Sequence, residues 1–123
     1  MQTLPNTLQR GDAAEDRATE LLVEHHYEIV ERKFRCDAGE LDIIARRGSL
    51  LVFVEVRSRS DDEHGSADWM VGTRKQRQVA RVAGHYLYLR DPWYDEIRFD
   101  VIAITADDID WIPDAFRLGS SRS

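Results

Sequence analysis

Residues 40–45 and 50–56 are two β-prone runs parted only by Arg46-Arg47-Gly48-Ser49, and this spacing constrains the fold more than any other stretch of the chain. Runs so placed close as an antiparallel hairpin, because Gly and Ser admit a tight turn. Strand alternation puts Leu41, Ile43, Val52, Val54 and Val56 on one apolar face suited to a core. With the turn centred on Arg47 and Gly48, Ala45 opposes Leu50, Asp42 opposes Phe53 and Glu40 opposes Glu55. Asp42 and Glu55 then stand diagonally, ~7–8 Å apart, on the face shared with Leu51, Phe53 and Arg57. A turn longer by two residues sets them directly opposite, ~5 Å apart.

Gathering Glu40, Asp42 and Glu55 on one face calls for a counter-charge, since like charges ~4 Å apart repel by ~1 kcal/mol in water and several-fold more near a protein surface. Two sources fit the spacing. Hard carboxylate oxygens suit Mg²⁺, with Mn²⁺ as a substitute, and Mg²⁺ takes one or two carboxylates while keeping waters and substrate phosphate. Such a cation polarises a phosphoryl oxygen and lowers the pKa of a bound water, which is the chemistry of phosphodiester hydrolysis. The other source is Arg57 and Arg59, acting as ordinary surface ion pairs.

Around the hairpin, residues 12–26 carry Ala14, Ala18, Leu21, Leu22 and His25 at helical spacing, with Gly11 and Asp12 as a start. Glu15 borders that stripe and can point toward Asp42. Residues 27–32 form a short strand, and residues 58–72 a polar loop. Residues 73–89 form a helix with Val79, Val82, Ala83, Tyr86 and Leu87 on one stripe and Arg74, Arg77 and Arg81 on another. Thr73 offers a cap, and Asp91-Pro92 a stop. Residues 97–104 read as a strand, and 109–112 as a short edge strand before Pro113. The economical fold is α/β, a mixed central sheet flanked by helices in the order α-β-β-β-α-β.

A chain of 123 residues supports one domain, residues 1–118, with 119–123 as a loose tail. Lone Cys36 excludes an internal disulfide and reads as a partly buried thiol. No apolar run approaches the ~20 residues of a membrane span, and residues 1–11 lack the apolar core of a signal peptide, so a cytoplasmic protein that spans no membrane is expected. The net charge of -6 argues against a generic polyanion binder, but residues 32–81 hold 11 of the 17 basic residues and only 8 of the 23 acidic ones. Arg74, Arg77 and Arg81 suit a phosphate track, or simply a solvated helix face. His25, His26, His64 and His85 have no ligand spacing. Trp69, Trp93 and Trp111 read as core or interface residues, and Arg98 and Asp100 as a structural pair.

Gly39-Glu40-Leu41-Asp42-Ile43-Ile44-Ala45, Phe53-Val54-Glu55-Val56-Arg57-Ser58-Arg59, Lys75 and Arg98-Phe99-Asp100-Val101 resemble the YraN-type family of small bacterial proteins. That family is similar to archaeal Holliday-junction resolvases and to the PD-(D/E)XK nuclease-like group, and the likeness runs from Gly11 to Phe116. It implies a restriction-endonuclease-like core and a metal-dependent endonuclease acting on DNA, on branched or damaged structures. Asp42 then fills the Asp of the motif, Glu55 the acidic residue and Arg57 the Lys position; Glu15 is the extra acidic ligand and the Val56 carbonyl a further one. Arginine stays protonated, so Arg57 cannot act as a general base, and Lys75 is the candidate for the displaced amine. The resemblance also admits a nucleic-acid-binding module that has lost catalysis. A two-fold symmetric junction would suit a homodimer.

Overall fold

Two helices cover opposite faces of one five-stranded sheet. The structure is a computed structural model that describes residues 7–58 and 72–117, with side chains from residue 12 onward. Its elements are α1 (Thr7–Glu24), β1 (Glu28–Cys36), β2 (Gly39–Arg47), β3 (Leu50–Ser58), α2 (Thr73–Arg90), β4 (Glu96–Ile104) and β5 (Ile109–Phe116). Strand order follows the sequence, β1-β2-β3-β4-β5. All neighbours are antiparallel except β3 and β4, which run parallel and are joined through α2. The α/β class and the expected order of elements are found.

Both faces of the sheet are core. On one, Ala14, Ala18 and Leu22 of α1 pack on Ile43, Ala45, Val52, Val54, Ile102 and Ile104. On the other, Val79, Val82, Ala83 and Tyr86 of α2 pack on Leu41, Ile44, Leu51, Phe53, Phe99 and Val101. Leu41 was expected beside Ile43 but lies on the α2 side, because the alternation of β2 breaks at Asp42. Across the ladder, Lys33 adopts φ 56°, and the β1–β2 pairing skips Lys33 and Asp42. Arg32 and Lys33 therefore both turn to α1, while Phe34 packs on α2.

The hairpin register differs by two residues from the first expectation. Arg47 pairs with Leu50 and Ile43 with Val54, so Phe53 faces Ile44 rather than Asp42. The turn is Gly48-Ser49, with Gly48 at φ 63°, the first central position that a type II′ turn reserves for glycine. Gly39 adopts φ 142°, a conformation that favours glycine, and lies against α2, where a Cβ would come within 3.3 Å of Val82 Cγ2.

Several boundaries also move. The first helix begins at Thr7, which leaves Gly11 and Asp12 inside it. Gly72, not Thr73, is the N-cap of α2 and makes no side-chain capping bond. The first strand continues to Cys36, and β5 runs past Pro113 on the sheet edge, where a missing N–H costs no ladder bond. No helix among the described residues is long and apolar enough to cross a membrane. The loop expected over 58–72 and the tail from 119 lie almost wholly outside the described residues.

Candidate metal centre

The β2–β3 ladder ends at Ile43 and Val54, and just beyond it Asp42 Oδ2 accepts the backbone N–H of Val56 at 2.8 Å. A side chain thus replaces a backbone carbonyl as the acceptor for β3. That fixes the carboxylate in the mouth of the hairpin, and the register, continued one step, sets it level with Glu55. Glu55 follows Leu51 and Phe53 on the α2 side and is only 5% exposed. Lys75, in the first turn of α2, brings its Nζ to 3.6 Å from Glu55 Oε1, an ion pair too long for a hydrogen bond. The other oxygen, Oε2, is buried without a hydrogen-bond partner among the described residues. A buried carboxylate oxygen without a donor is costly unless a proton or a cation joins it.

The electrostatics agree. Burial, and then the charge of Asp42, push Glu55 up to about 7 against the pull of Lys75 and Arg57. Asp42 is raised too, chiefly by burial; the Val56 N–H opposes this, and Glu15 and Glu40 add to it. These two acids resist ionising together in the free protein, and a divalent cation would relieve both.

Glu15 is 4% exposed on α1, and both of its oxygens are engaged. Arg32 Nε donates to one at 2.6 Å and Lys33 Nζ to the other at 3.0 Å. Arg32 also holds Asp16 and Lys33 also holds Asp12, each at 2.7 Å. Glu15 is therefore an electrostatic neighbour of Asp42 held by two cations. Among the described residues, no three acidic, His or Cys side chains gather as one metal cage. The donor set is two carboxylates, which fits a Mg²⁺ or Mn²⁺ ion that completes its shell with water and phosphate. The unpartnered Glu55 Oε2 is the observation that makes the fit.

Arg57 follows Glu55 by two residues on β3 and has no ion-pair partner among the described residues, so it does not neutralise the acids by direct contact. Arg74, Arg77 and Arg81 are exposed on α2, and Arg59 lies outside the described residues. Arg98 and Asp100 form the structural pair expected, at 2.7 Å and reinforced by Tyr27 and Trp111. Trp111 packs on the α1-side core, but Trp93 is 67% exposed, with Arg46 donating to its carbonyl. It sits in the connection after Pro92, where no layer covers it. Residue patterns missed the Arg32–Lys33 clamp on Glu15, because the backbone twist at Lys33 leaves no mark in residue type.

Fold and site together define an α/β protein whose mixed sheet carries a buried acidic pair at the open end of a hairpin. The chain belongs to the uncharacterised protein family UPF0102, the YraN family, whose model matches residues 14–104. It is 41% identical over 116 residues to a UPF0102 protein of Hahella chejuensis (strain KCTC 2396), covering 92% of this chain and 94% of that protein. Against a UPF0102 protein of Dechloromonas aromatica (strain RCB) it is 44% identical over 110 residues, covering 89% and 90%. With one of Syntrophus aciditrophicus (strain SB) it shares 37% over 123 residues, 97% of each chain.

Proposed function

We propose that this protein is a divalent-metal-dependent endonuclease that hydrolyses phosphodiester bonds in DNA, with branched or damaged DNA as its substrate class. The observation that carries this reading is the buried Glu55 carboxylate, with one oxygen unpartnered, beside Asp42. Asp42 and Glu55 would hold Mg²⁺ or Mn²⁺. The ion supplies Lewis-acid polarisation of the phosphoryl group and an acidified water. The Val56 N–H orients Asp42. Arg57 binds phosphate and takes no proton, so transfer at a side-chain nitrogen falls to Lys75 Nζ. Glu15 shapes the field at Asp42 and keeps Arg32 and Lys33 beside the site. A two-fold symmetric junction would bring two copies together as a homodimer.

Purified protein should cut a junction or flap substrate with Mg²⁺ or Mn²⁺, and Asp42→Ala should abolish cutting. Equal cutting by that variant would refute the proposal. The second reading, a binding module without turnover, is favoured by Arg57 in the lysine position. Salt-dependent DNA binding with no cleavage in either metal selects it.

A further inference from the structure

Helix α2 carries Arg74, Lys75, Arg77, Arg81 and Arg90 and not one acidic residue, in a chain where acids outnumber bases 23 to 17. Two of these cations stand in its first turn, at the positive end of the helix dipole, where Asp or Glu is the stabilising choice. Arg74, Arg77 and Arg81 also repel one another at i, i+3 and i+4 spacing. No described residue forms an ion pair with any of the three. Among the described residues, nothing offsets this repulsion.

At 100° per residue, Arg74, Arg77, Arg81, Gly84, His85 and Tyr88 fall within about 100° of one another, opposite the buried Val79, Val82, Ala83 and Tyr86. All six are exposed, and Tyr88 is 85% exposed. Gly84 is the second anomaly. Mid-helix glycine is destabilising relative to alanine, yet a Cβ there would meet nothing within 4 Å, so no packing demands the glycine. What it leaves is a low point on the stripe between Arg81 and Tyr88. The stripe starts one residue from Lys75, whose Nζ lies 3.6 Å from Glu55, and runs ~21 Å along the helix.

Resting on the nuclease reading above, we infer that the outer face of α2 binds a single-stranded DNA arm leaving the cut site. Arg74, Arg77 and Arg81 contact successive phosphates, the backbone passes close over Gly84, and an unpaired base stacks on Tyr88. Cations with no ion-pair partner among the described residues match a polyanion, and an exposed ring at the end of the track suits a free base rather than a paired one. The substrate class is therefore DNA with an unpaired arm.

The test is fluorescence anisotropy of labelled oligothymidylate and of a blunt duplex, with the full chain in chelator so that no cleavage enters. Neutralising Arg74, Arg77 and Arg81 together to Ala should make log affinity for oligothymidylate against log salt shallower by about 2. Tyr88→Ala should weaken oligothymidylate binding about tenfold and leave duplex binding unchanged, whereas Tyr88→Phe keeps it. Gly84→Leu should raise the melting temperature yet weaken binding. An unchanged salt slope in the triple variant, oligothymidylate affinity unaffected by Tyr88→Ala, or full affinity in Gly84→Leu would each overturn the inference. DNA cut normally by variants with wild-type affinity leaves the nuclease reading standing and removes this one; these effects without cleavage do the reverse.

Discussion

Asp42 Oδ2 accepts the Val56 N–H at 2.8 Å, so a single carboxylate both closes the β2–β3 ladder and faces Glu55. The two roles separate by substitution. Asp42→Asn keeps an oxygen for Val56 and removes one of two repelling charges, so the metal-free protein should be at least as stable as the wild type while losing Mn²⁺ binding. Asp42→Leu also leaves a backbone N–H unsatisfied and should lose about 1–3 kcal/mol. Urea unfolding and calorimetric Mn²⁺ titration check the pair.

The same residue marks where sequence patterns stop being informative. The hairpin and both helices were legible, because period-2 and period-3.6 patterns report which faces are buried. Glu15, Asp42 and Glu55 stood out as acids bordering apolar stripes. The register did not, since moving the turn from Arg47-Gly48 to Gly48-Ser49 shifts the pairing by two residues and keeps every side chain on its face. Nor did the break at Lys33 and Asp42, because nothing in residue type marks this lysine for the positive φ that turns it toward Asp12 and Glu15. The start of α1 was misplaced for a related reason: Asp12 resembles a cap but is held by Lys33.

Lys75 Nζ forms an ion pair with Glu55 Oε1 at 3.6 Å. Lys75→Met keeps most of the length and removes the charge that pulls the Glu55 pKa down. Cutting should fall by about 10²–10⁴-fold if Lys75 Nζ carries the proton. Lys75→Arg then restores the charge but not the rate. A rate restored fully by arginine would make Lys75 an electrostatic partner only, a result read from single-turnover rates across pH.

Asp100 tests the opposite role. At 1% exposure it accepts from Arg98 Nε at 2.8 Å and Nη2 at 2.7 Å, from Trp111 Nε1 at 2.9 Å and from the Asp114 N–H at 2.9 Å. Asp100→Ala leaves Arg98 without its carboxylate and should cost about 3–5 kcal/mol in denaturant unfolding. Asp100 pairs with Val54, next to Glu55, but it faces Trp111 on the α1 side of the sheet whereas Glu55 faces Lys75 of α2, so the fraction that remains folded should keep its Mn²⁺ affinity.

Glu55 also makes stability depend on pH with a sign opposite to the usual buried ion pair. Its folded pKa of about 7 lies above the ordinary 4.5, so the folded chain holds the proton more tightly than the unfolded one. The stabilisation is fully present below about pH 4.5 and is lost as pH rises through about 7, on the order of 3 kcal/mol. Asp42, raised as well, acts in the same direction. In chelator, the urea midpoint should therefore fall between about pH 5 and about pH 8 more for the wild type than for Glu55→Gln. Saturating Mn²⁺ reverses the trend, because the cation binds the deprotonated pair and its contribution grows as protons leave. Identical pH profiles with and without the metal would mean that Asp42 and Glu55 do not bind it.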